Sequence, residues 1–375
     1  MIRVLVVDDS LVFRKILQEA IGKDPNMNMR VVGTATNGRE ALQKIRILRP
    51  DVTILDVEMP EMDGLATLDA LKRQNLRTVV IMFSSLTSQG AKTTLEALSR
   101  GAVDFVPKPK GTGAFSESVK TIETLLIPKI AALGSNSNGR GPKRNLLTKR
   151  RAPAIQRAVC PPKEKSICGS TAKRRPQRLI RPGRIDAIGI GVSTGGPNSL
   201  NEVIPKFPAN FRLPIFLVQH MPPLFTSQLA HRLDQRSKLT VVEAKDNMPV
   251  RPGTVYIAPG DYHMEVRKRG NSFTISLNQN PPVNSCRPAV DVLFKSLAEV
   301  YGGRVVAAVL TGMGQDGLEG SKLLKKKGAV IIAQDKETSV VWGMPKFVAE
   351  SGIADKIVPL GTVALTIMEL SGQRF

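Results

Sequence analysis

Residues 188–197 read Ile188-Gly189-Ile190-Gly191-Val192-Ser193-Thr194-Gly195-Gly196-Pro197. An apolar run leads into a glycine-rich turn, and a helix-like stretch, Ser199–Ile204, follows. This order is that of a strand-turn-helix unit in an α/β sheet. A serine at such a turn sits where a fold exposes a nucleophile and surrounds it with backbone N–H groups. Gly191-x-Ser193-x-Gly195 fits the nucleophile elbow. Gly189-x-Gly191-x-x-x-Gly195 fits a loosened dinucleotide loop as well, and that reading wants an acid about 20 residues further on to hold a ribose.

The next strand candidate, Pro214–Val218, ends in Gln219-His220, so a histidine stands where the acid should be. That weakens the cofactor reading and supplies a base for the serine. The chain has three histidines. His231 falls in an amphipathic helical pattern, and His263 follows a different strand, which leaves His220 as the candidate base. A base needs a carboxylate to fix its tautomer. The loop Thr311-Gly312-Met313-Gly314-Gln315-Asp316-Gly317 follows the strand candidate Val305–Leu310 and delivers Asp316 to the same sheet edge. Asp316 can also be read as a cap for the helix Gly317–Lys326. The order Ser193…His220…Asp316 differs from the Ser…Asp…His order of α/β-hydrolases.

The βα rhythm recurs upstream. Ile2–Val7, Met29–Thr34, Val52–Leu55, Thr78–Phe83 and Val103–Val106 read as short buried strands. Amphipathic stretches alternate with them, as expected for a five-stranded, doubly wound parallel sheet. Functional groups in such sheets collect beyond the carboxyl ends of the strands. Asp8 and Asp9 follow the first strand, Asp56 the third, Ser84 the fourth and Lys108 the fifth. Converging carboxylates repel unless a cation joins them, and oxygen-only ligation favours Mg²⁺. A carboxylate so poised, beside a lysine and a hydroxyl, suits acceptance of a phosphoryl group.

Between the two α/β regions the composition changes. The chain of 375 residues carries a net charge of +22, and residues 134–184 hold fifteen Lys or Arg against the single acid Glu164. The charge therefore describes a segment that cannot bury a core, expected to be a flexible linker. Aromatic residues make up only 4% of the chain, which argues against a stacking platform for single-stranded nucleic acid. No apolar stretch approaches the roughly 20 residues that span a bilayer, and a cytoplasmic protein is expected. Cys160, Cys168 and Cys286 form neither a disulfide framework nor a metal set.

Residues 1–125 resemble the receiver domain of two-component response regulators, on Asp8, Asp9, Ser84, Lys108 and the tract Asp56-Val57-Glu58-Met59-Pro60-x-Met62-Asp63-Gly64. The resemblance implies that Asp56 accepts the phosphoryl group and that Asp8, Asp9 and Asp56 hold Mg²⁺. Ser84, Phe105 and Lys108 would sense the change. Residues 185–375 resemble the catalytic domain of the CheB family of chemotaxis protein-glutamate methylesterases. The matching tracts include Gly191–Pro197, Val218–Pro222, Tyr256–Asp261, Arg287–Phe294, Leu310–Gly317 and Val341–Pro345. This implies a second doubly wound α/β domain, joined to the first by residues 126–184. Ser193, His220 and Asp316 would be catalytic, with Thr194 and Met313 at the oxyanion. The implied substrates are glutamyl methyl esters, and related glutamines, of methyl-accepting chemoreceptors, met at their cytoplasmic regions near the membrane. A histidine kinase would donate the phosphate. No cofactor is expected for the ester reaction, and no specific nucleic acid. Cys286 departs from the family pattern, in which histidine is frequent there, so no role carries over to it. Two rival readings are a receiver-linked nucleotide-dependent oxidoreductase and a non-enzymatic regulator that binds nucleic acid through the basic segment.

Overall fold

The computed structural model describes residues 1–23, 28–109, 115–134 and 184–372. The basic segment from 135 to 183, with Cys160 and Cys168, lies outside the described residues.

The first sheet contains β1 (Ile2–Val7), β2 (Met29–Ala35), β3 (Val52–Asp56), β4 (Val79–Ser84) and β5 (Asp104–Pro107), in the spatial order β2-β1-β3-β4-β5. Every pairing is parallel. Helices α1 (Leu11–Gly22), α2 (Gly38–Leu48), α3 (Gly64–Arg73), α4 (Ser88–Arg100) and α5 (Phe115–Gly134) cover both faces. β3 is buried at all five positions, as a strand sandwiched by helices must be. α5 carries the chain past residue 125 because Ile122, Leu126, Ile130 and Leu133 recur on one buried face.

The second sheet has seven parallel strands in the order β14-β13-β12-β6-β7-β9-β8. They are β6 (Ala187–Val192), β7 (Ile215–Gln219), β8 (Thr240–Glu243), β9 (Thr254–Ile257), β12 (Val305–Val309), β13 (Val330–Gln334) and β14 (Lys356–Val358). The antiparallel hairpin β10 (His263–Arg269) and β11 (Ser272–Asn278) stands apart from it. Helices α6 (Gly196–Val203), α7 (Phe225–Asp234), α8 (Val290–Val300), α9 (Leu318–Lys326), α10 (Met344–Glu350) and α11 (Val363–Leu370) complete the layers. β6 lies at the centre, between β12 and β7.

The two sheets belong to one compact unit. Their helices meet where α4 packs against α7 and α6, and Val341, with Met313 and Val340 beside it, packs into the hydrophobic cluster of the first sheet. The Phe105 ring stacks on Phe225 at 4.4 Å between centroids and 10° between planes. Asn198 Nδ2 donates to the Ala102 carbonyl at 3.2 Å. No helix among the described residues is long and apolar enough to cross a membrane.

Candidate active site and phosphoacceptor site

Ser193 follows β6 directly and is half-buried. Its N–H donates to the Thr311 carbonyl at 3.0 Å, which fixes the turn against the neighbouring strand β12. Gly195 caps α6 with φ of 75°, and a Cβ there would meet the Val340 side chain at 2.7 Å. Both facts require glycine. At Gly191 an added Cβ would meet Val290 Cγ1 at 2.4 Å. The space beside these glycines is filled by packed side chains, so they serve close approach of strand, turn and helix. This is the opposite of the open backbone a pyrophosphate needs, and the oxidoreductase reading loses its motif.

Register brings the base alongside. Val192 pairs with Gln219, and the His220 N–H donates to the Val192 carbonyl at 3.2 Å. Buried Gln219 ties the two strand ends together, its Nε2 donating to the carbonyls of Ser193 (3.0 Å) and His220 (3.1 Å).

Asp316 meets His220 at the same edge, with Oδ2 2.8 Å from His220 Nε2. The Val290 N–H donates to Oδ2 at 2.6 Å and the Asp291 N–H to Oδ1 at 3.1 Å. Asp316 therefore caps the start of α8, whereas the helix it precedes, α9, begins at Gly317 without a side-chain cap. Burial by itself would raise this carboxyl, but the His220 hydrogen bond and charge and the donated N–H groups hold it below its ordinary value. For His220 burial opposes the charged ring, yet the hydrogen bond to Asp316, together with the hydrogen bond and charge of Cys286, prevails and lifts it to about 9. Among the described residues no hydrogen bond joins Ser193 Oγ to His220. Nδ1 faces Cys286 Sγ at 3.5 Å instead.

Thr194 is buried, and its carbonyl accepts from Thr311 Oγ1 at 2.9 Å. Met313 is half-buried beside Val340 and Val341. Its loop is pinned by the N–H groups of Gly343 and Met344, both donating to the Gly312 carbonyl. His263 is buried in β10 and bonds the Pro281 carbonyl, while His231 is exposed on α7 beside Gln235. Among the described residues neither is hydrogen-bonded to the serine turn.

The sequence reading missed Asn284, whose Nδ2 donates to both Asp316 Oδ1 and Asp291 Oδ2, each at 2.9 Å. It also missed Asp291, which accepts the Gly320 N–H at 2.6 Å. The polar pair Asn284-Ser285 just ahead of α8 was the available signal, since it marks a tight turn.

In the first sheet, carboxylate oxygens of Asp8, Asp9 and Asp56 all lie within 4.8 Å of one another. Lys108 Nζ stands 2.7 Å from Asp56 Oδ2 and 2.9 Å from Asp8 Oδ2. Burial, then the charge of Asp8, pushes Asp56 up to about 6, and burial likewise raises Asp8. Three carboxylates with one lysine are undercompensated, and an oxygen-only set of this kind fits a hard divalent cation. Ser84 Oγ accepts from Thr94 Oγ1 at 2.6 Å, and Phe105 is buried in the stack on Phe225.

Comparison with known proteins agrees with this division. The CheB methylesterase family model matches residues 188–367, and the response regulator receiver domain model matches residues 4–120. A protein-glutamate methylesterase/protein-glutamine glutaminase of Nocardioides sp. is 45% identical over 96% of this chain and 92% of its own. One of the same name from Trichodesmium erythraeum is 42% identical over 99% of both. The crystal structure of the Thermotoga maritima CheB methylesterase catalytic domain is 47% identical, covers 50% of this chain and all of that one, and superposes with a TM-score of 0.49. Receiver domains of this type are phosphorylated in a Mg²⁺-dependent manner. The chain thus belongs to the CheB family of protein-glutamate methylesterases/protein-glutamine glutaminases and carries their response-regulator receiver domain.

Proposed function

We propose that Ser193, His220 and Asp316 carry out hydrolysis of glutamyl methyl esters on methyl-accepting chemoreceptors, and deamidation of receptor glutamines. The observation that carries this reading is the His220–Asp316 pair at 2.8 Å, hydrogen-bonded through the His220 backbone to the strand end that presents Ser193. Ser193 Oγ attacks the ester carbonyl and passes its proton to His220. With Nε2 committed to Asp316, Nδ1 is the nitrogen that takes it, so Ser193 Oγ has to replace Cys286 Sγ as its partner. The tetrahedral oxyanion is met by backbone N–H groups of Thr194 and Met313. As it collapses the C–O bond to the methoxy group breaks, and the proton on His220 leaves with methanol. Water, deprotonated by the same ring, then cleaves the acyl-enzyme and frees the glutamate.

The receiver sets when this happens. Asp56 accepts a phosphoryl group from a histidine kinase, and Asp8, Asp9 and Asp56 would hold the Mg²⁺ that this transfer requires. The cation would neutralise the transferring oxygens. Lys108 then pairs with the new phosphoryl oxygens, and Ser84 and Phe105 relay the change. The Phe105–Phe225 stack supports this route, because it links the receiver directly to a helix of the second sheet.

The decisive measurement is methanol release from methylated receptor, with and without a small phosphodonor. Ser193→Ala should lower turnover by roughly 10⁴-fold or more while Asp56 is still phosphorylated. Retained turnover in that variant would remove Ser193 from the mechanism.

A further inference from the structure

The turn Val283–Cys286 is closed by reciprocal hydrogen bonds, Val283 N–H to the Cys286 carbonyl (3.1 Å) and Cys286 N–H to the Val283 carbonyl (2.9 Å). Its central residues, Asn284 and Ser285, have φ of 52° and 61°. Two left-handed residues in succession make a tight turn, and asparagine tolerates this conformation better than most. The turn reaches both members of the His–Asp pair. Asn284 Nδ2 donates to Asp316 Oδ1, and Cys286 Sγ lies 3.5 Å from His220 Nδ1.

We infer that Asn284 is a positioning residue for the hydrolysis, holding the Asp316 carboxylate in the rotation that turns Oδ2 toward His220. The inference rests on the Ser193–His220–Asp316 reading. Asp316 Oδ2 accepts from His220 and Val290, and Oδ1 from Asn284 and Asp291 N–H. Among the described residues Asn284 is the only side-chain donor on the Oδ1 side. It also donates to Asp291 Oδ2, so a neutral amide lies between two buried carboxylates that would otherwise face each other. The groups around Asp316 are thus His220 beyond β7, Asp291 on α8, and Asn284 and Cys286 on the turn. Without the amide, Asp316 keeps only the Val290 and Asp291 N–H groups to oppose rotation away from the ring.

The test uses the full chain, phosphorylated at Asp56, and a methylated receptor cytoplasmic fragment. Asn284→Gly keeps a turn that favours positive φ and removes the amide. It should lower kcat by about tenfold to a hundredfold with KM within twofold. The acid limb of kcat/KM should move to lower pH, since a ring less firmly paired with Asp316 gives up its proton more readily. Asn284→Asp, which adds a like charge in place of the donor, should be impaired at least as much. An Asn284→Gly enzyme with kcat and acid limb at wild-type values would overturn the inference. So would a loss of turnover explained by a matching loss of folded protein in thermal unfolding. Absence of methanol release from the wild type would instead bring down the reading of the serine site.

Discussion

At neutral pH a ring whose proton is held to about 9 is mostly imidazolium, and an imidazolium is not a base. If His220 is the base, as proposed, the pairing that orients it therefore also sets the pH at which it works. Its neutral fraction grows as pH rises toward about 9, so kcat/KM should climb across the neutral range and level off above it. The measurement is a pH–rate profile of methanol release. A limb at the ordinary histidine value near 6.5 would show that Asp316 and Cys286 do not hold the charged ring in the free enzyme. Asp316→Asn keeps the shape and removes the charge, and its expected cost in kcat is roughly 10⁴-fold, by loss of the correct tautomer. At Asp56 the charge problem is inverted: burial and Asp8 oppose its ionisation, Lys108 favours it, and the proposed cation would favour it further.

The elements that present these groups owe their shape to a few close approaches. Gly195 combines φ of 75° with a Val340 side chain 2.7 Å from where a Cβ would stand. Gly195→Ala should therefore destabilise the fold by about 1–3 kcal/mol, read as a lower midpoint in urea with an unchanged slope. A midpoint equal to that of wild type would show that the turn relaxes freely. The strands that carry Ser193 and His220 were legible in the sequence because each is an apolar run ended by a polar residue. The loop bearing Asp316 was legible for the same reason. Asn284 and Asp291 were not, because their roles arise only when a turn and the first residues of α8 approach Asp316 from 25 or more positions away. The hairpin β10–β11 was overlooked since Arg267, Lys268 and Arg269 mask its alternation. β14 is a three-residue edge strand, too short to give a pattern. Receiver helices were easier, because their caps are local: Asn37, Asp63 and Thr87 each accept an N–H three residues on.

For the whole molecule the question is how an event at Asp56 reaches a serine in another sheet. The Phe105–Phe225 stack makes a specific forecast. Phe225→Leu keeps an apolar side chain but loses ring stacking, worth about 0.5–1.5 kcal/mol beyond area. We propose that the unphosphorylated receiver inhibits through this contact, so turnover of the unphosphorylated chain should rise about two- to tenfold, and phosphorylation should add correspondingly less. Unchanged basal turnover would mean that the stack carries no inhibition. Asp56→Asn should keep basal turnover and lose the gain from a phosphodonor, and a persistent gain would point to another acceptor.

The Gln219 amide, shared between the carbonyls of Ser193 and His220, has a consequence for this control. It binds the backbones of the proposed nucleophile and base into a single tile, so a push on one strand end carries the other with it. A regulator acting on such a tile is poorly placed to separate the two strand ends. What remains to it is the doorway: whether a receptor helix can enter at all. Control by admission predicts an enzyme whose small, unhindered ester substrates escape regulation while its protein substrates obey it.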